Sequence, residues 1–195
     1  AEDIKDGAVL GLINQLQQTN IALRNGYATE EIASTLSEDA RHTIKQELLE
    51  DQEKAFTALL EFALLKGGKK SVVRTAGEVL VSCIAEDVFP QDPQRAIAFL
   101  DNWFETFSRK ATGETALIIG ASYASALMKC LFKSQAEGDK QMFDNFTQAV
   151  NQSVSAGGAR YLLNAFIDET KRQVASTKAL NLSASLIENI SPKEK

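Results

Sequence analysis

The single histidine, His42, lies three residues after Asp39 and four before Gln46, so on a helix it shares a face with both polar side chains. General-base catalysis is the chemistry such an imidazole offers. It needs a nucleophile within hydrogen-bond reach, and nothing on that face supplies one. A solvated surface histidine is therefore expected. One histidine also excludes the doubled Glu-x-x-His pattern of di-iron bundles, and no signal supports a haem pocket.

Glu47, Glu50, Asp51 and Glu53 could meet a cation, but they lack the alternating oxygen ligands and turn glycine of a calcium loop. They read as a charged solvent face. Lys66-Gly67-Gly68-Lys69-Lys70-Ser71 resembles a phosphate loop only in part. Ala63 stands where the motif needs glycine, Lys70 stands where it needs Ser or Thr, and a helix rather than a strand precedes. Nucleotide hydrolysis is excluded on that ground. A weak anion site is the residual expectation, with Lys69 and Lys70 crowding a helix N-terminus.

Cys83 and Cys130 are far apart and sit in apolar stretches, as buried structural thiols do. Neither a Cys-x-x-Cys spacing nor a nearby histidine accompanies them, so no metal site is expected. Two cysteines do not by themselves specify a disulfide. Residues 29–36 resemble the first helix of a DNA-binding helix-turn-helix. Glu38 and Asp39 then fall where DNA phosphates would lie, and like charge opposes docking. With no catalytic residue, cofactor or metal assigned, the remaining candidates are aromatic. Trp103, Phe104, Phe107, Phe143 and Phe146 have helical core spacing, whereas Phe62 and Phe99 lie off the main stripes of their helices. Phe62, Phe99 and Trp103 are the expected partner-binding residues, lining a groove between hairpins.

The elements that would position these residues are helices. The chain has 195 residues, only three prolines, 44% hydrophobic content and a net charge of −5. That is enough to bury a core without staples. Residues 1–66 hold twelve acidic against six basic residues, and residues 157–195 hold four against six. An acidic front argues against a nucleic-acid partner. No secretory segment or membrane span is read at the start, and the apolar run Ala116–Phe132 is expected to be a core helix. A soluble, cytoplasmic protein is favoured, although the start Ala1-Glu2-Asp3 would also suit a mature exported one.

Helical stripes run over Ile4–Leu23, ending at Asn25-Gly26, and from Ser37 to Lys66, with a charged middle at Lys45–Lys54 and a stop at Gly67-Gly68. Thr29 is expected to cap a short helix between them. Further helices are expected over Ser71–Val88, after the cap Asp92-Pro93, after Thr112, after Asp139, and from Ala159 to about Ile190, with a break near Ser176. No segment alternates with period two. The expected fold is all-α with about eight helices, either stacked helical hairpins of α-solenoid type or an irregular bundle. It forms one domain over 1–190 with a disordered tail at 191–195.

Glycine stops at Gly67-Gly68, Gly113 and Gly157-Gly158 fall about 45 residues apart, the range of helical-hairpin repeats. Val79–Ile84 matches Ala126–Leu131, and Phe99–Trp103 matches Met142–Phe146, with a shared Asp-Asn step. Hairpins at 67–111 and 112–156, with a partial unit at 157–190, follow from this alignment. The expected function is non-enzymatic: an adaptor, chaperone-like factor or effector binding a protein partner. The alternative is a bundle holding an apolar small ligand where Gly120, Ala121, Ala124 and Ser125 leave room.

Overall fold

The computed structural model describes residues 2–26, 34–111 and 113–172. The Thr29 and Thr112 caps, the helix beyond 172, its break near Ser176 and the tail at 191–195 lie outside them. Among the described residues there are seven α-helices and no strand, so the all-α reading holds. They are α1 (Glu2–Arg24), α2 (Glu38–Leu64), α3 (Lys70–Ser82), α4 (Pro93–Lys110), α5 (Gly113–Glu137), α6 (Lys140–Ser153) and α7 (Ala159–Arg172). The chain divides into two compact units. One comprises Ala1–Cys83 and Glu105–Ile119, the other Ile84–Phe104 and Gly120–Lys195.

In the first unit α1, α2 and α3 pack on one another. Each contributes a stripe at three- and four-residue spacing: Val9, Ile13 and Leu16 from α1, Ala55, Phe56, Leu59, Leu60 and Ala63 from α2, and Val73, Ala76 and Leu80 from α3, all buried. Ser37 caps α2, its hydroxyl accepting from the Ala40 amide at 3.2 Å. The charged side chains in the middle of α2 face water, while Leu48 and Leu49 are half-buried and Gln52 is buried. Its amide donates to Asn20 Oδ1 at 2.7 Å, and the Cys83 thiol reaches the same oxygen at 3.7 Å. Such a node is tolerated inside because its members satisfy one another.

The second unit begins where α3 loosens. Cys83–Val88 forms a π-helical turn, and the Phe89 amide bonds to the Ile84 carbonyl. In that register the Ala85 carbonyl would pair with residue 90, which is proline and has no N–H. Lys133 of α5 donates to it instead. Asp92 then accepts from the Arg95 amide at 3.1 Å, with Pro93 as the first residue of α4. Asp139 caps α6 in the same way, at 3.0 Å from the Met142 amide. A second π-helical turn follows α6, and there Gly157 takes a left-handed φ of 91°. A Cβ on Gly158 would come within 2.8 Å of the Ser153 carbonyl oxygen, so both glycines of the stop are used.

Helix α5 is long and apolar enough to cross a membrane, yet more than half of its most apolar stretch is buried within the protein. Tyr123, Leu127, Met128, Leu131 and Phe132 all lie inside. Phe89 packs on Phe146 with centroids 5.6 Å apart, and Phe132 packs on Phe166 at 6.0 Å.

Candidate functional site

Phe62, Lys69 and Lys70 belong to the first unit, Phe99 and Trp103 to the second. The Trp103 ring is 0% exposed and meets Tyr123 edge-on at 5.9 Å. Phe99 is 4% exposed, with the Arg95 guanidinium carbon 4.8 Å from its ring centroid. Expected off the stripe, Phe99 instead joins it: the buried set of α4 includes Ala96, Phe99, Leu100 and Trp103. Neither ring presents a face to solvent. Phe62 does, at 40% exposed.

Both lysines meet carboxylates of their own unit. Lys69 Nζ lies 3.4 Å from Asp3 and 3.9 Å from Asp6, and Lys70 Nζ lies 2.9 Å from Glu114. The Lys69 amide, at the N-terminus of α3, donates to Asp6 Oδ1 at 3.1 Å. The negative charge that a helix N-terminus attracts is thus supplied from within, 63 residues back along the chain. Lys5, adjacent to Asp6, donates to the carbonyl of Leu65, the C-cap of α2. Partial burial lowers the Lys5 pKa, and the Asp6 charge offsets part of that effect. One turn of α1 therefore clamps both ends of the Leu65–Lys69 loop. Gly68 fits beneath the clamp, where a Cβ would stand 2.9 Å from Lys5 Nζ.

Beside this clamped loop is an open-sided cleft of about 380 Å³. Lys66, Gly68, Lys70 and Val73 line one side, and Glu114 and Ile118 the other. Leu65 and Leu117, next in sequence to lining residues, are each half exposed. Phe62 sits one turn before Leu65, and its neighbour Glu61 is held by Lys110 at 2.7 Å. Among the described residues, no group of three or more His, Cys, Asp or Glu is placed to hold a metal ion, and His42 is exposed on α2.

In the second unit, Glu169 is buried on α7 with Lys129 Nζ at 3.0 Å and an Arg172 nitrogen at 2.9 Å. Tyr123 bonds Ser153 through their hydroxyls at 2.7 Å. Burial pushes its phenol up to about 12, the Ser153 bond lowering and the Asp101 charge raising it by smaller amounts. Of the four small α5 residues, Gly120 and Ala124 are buried, Ser125 is half-buried and Ala121 is exposed. Sequence reasoning missed Asp6 and Glu169, although each left a signal. Both are charges on an apolar stripe, Asp6 with Val9 and Ile13, Glu169 with Leu162 and Ala165. No family model matches this chain, and neither curated proteins nor solved structures yield a similar one.

Proposed function

We propose that this chain is a non-enzymatic protein-binding module, an adaptor, chaperone-like factor or effector. Its partner surface is the end of α2 and the adjoining cleft, which take an apolar segment of another protein. The observation that carries this reading is Phe62, an aromatic ring left 40% exposed one turn before half-exposed Leu65, whose sequence neighbour Lys66 lines the cleft. Phe99 and Trp103 support the core behind their own helix rather than touching the partner. The hairpin repeats at 67–111 and 112–156 belong to the same reading. Matched positions Leu80 and Leu127, Cys83 and Cys130, and Trp103 and Phe146 are all fully buried, as stacked units require.

The test is paired affinity capture from native lysate with wild-type and Phe62→Glu baits, read by quantitative mass spectrometry. The expected result is a protein retained by wild type and reduced about tenfold on the variant, the loss of one hot-spot contact. Equal capture by both baits, or turnover of a small molecule by the purified protein, would contradict the proposal.

A further inference from the structure

Helix α1 buries one face in the first unit and leaves the other open. Along the open face run Asp3, Gly7, Leu10, Asn14, Gln17, Ile21 and Arg24, spaced alternately by four and three residues as one face of a helix is, with opposite charges at its two ends and Leu10 and Ile21 between them. Leu10 and Ile21 are exposed there, and the flanking Ile4 is 79% exposed. From Gly7 to Leu23 the helix carries no charge at all. A face meant only for water would carry some.

Gly7 on this face and Gly11 flanking it add an independent observation. Gly7 and Gly11 lie inside the helix, where glycine weakens it. A Cβ at either would meet nothing within 4 Å, so no packing inside the chain calls for them. Glycines on an open helix face are explained by close approach of a second helix.

We infer that this face pairs with the same face of a second copy of the chain, antiparallel. In that register like meets like: Leu10 faces Ile21 of the other copy, and Asn14 faces Gln17. The space at Gly7 receives the other Arg24, whose guanidinium reaches Asp3 one turn away. Asp3 is 92% exposed at its side chain and lies 3.4 Å from Lys69 Nζ. The uncharged centre lets two copies, each of net charge −5, meet without like charges in contact. The polar Asn14–Gln17 layers set the register. This pairing uses a helix surface distinct from the Phe62 cleft, so either claim stands or falls without the other.

Sedimentation equilibrium of the full chain from about 10 μM to about 500 μM tests it. The mass is expected to rise towards twice the monomer, and Leu10→Glu to weaken the association at least about tenfold. Neither native cysteine forms a disulfide and both are fully buried, so introduced thiols report cleanly. Under mild oxidation, a mixture of Leu10→Cys and Ile21→Cys chains is expected to form a covalent dimer that neither forms alone. Circular dichroism checks that each variant is folded. A wild-type chain monomeric throughout, a dimer indifferent to Leu10→Glu, or cross-linking by each single variant alone would overturn the inference.

Discussion

A side chain's helical position and its neighbours decide together whether it works at the surface or in the core. Trp103 and Phe62 are both aromatic and both helical, yet one is fully buried and the other keeps 40% of its surface in water. Stripe spacing expects Trp103 among core residues, where it lies, although the same ring is also an expected groove residue; Phe99 is expected outside a stripe that proves wide enough to include it. Cysteine was more legible. Cys83 and Cys130 sit in apolar runs, and both are buried and outside any disulfide. Burial pushes the Cys130 thiol up to about 12, with Lys133 and Lys129 lowering it less than burial raises it. The native protein at pH 9 should therefore leave Cys130 unmodified by a maleimide over a time that fully labels the unfolded chain. Peptide mapping checks this, and rapid native labelling at that residue would contradict it.

Helix starts were legible where the cap is local. Ser37, Asp92-Pro93 and Asp139 each act within three residues of their own helix, so the pattern lies in the sequence itself. The caps that close the α2–α3 loop are not local. Lys5 serves the Leu65 carbonyl and Asp6 the Lys69 amide from more than fifty residues away, and no spacing rule announces such partners. The π-turn at Cys83–Val88 carries no signal in the helical pattern Ser71–Val88 for the same reason, since its spare carbonyl is answered by Lys133 from α5. Asp6 gives the cleanest test at this scale. Asp6→Ala removes the amide cap and a partly buried ion pair and should cost about 1–2 kcal/mol. Urea denaturation measures it. Because Asn keeps an accepting oxygen, Asp6→Asn should recover part of the loss, and an unchanged midpoint in both variants would show that the clamp carries no stability.

For the whole molecule, fold class was the most legible property and function the least. Period-3.6 stripes over the described chain leave no room for a sheet, and none is found among the described residues. The division into two compact units was not legible, because it runs through α4 and α5, whose patterns are continuous across it. Function stayed hidden for a different reason. A protein-binding surface needs only a few exposed apolar groups, and such groups are read from exposure, which periodicity predicts only roughly. In the proposed function, the end of α2 touches a partner protein. A photo-reactive phenylalanine analogue at Phe62, compared in cells with the same analogue at exposed His42, tests it most directly. A covalent adduct to one protein is expected from position 62 and none from position 42. Identical adduct patterns from both positions, or no adduct from position 62, would contradict it.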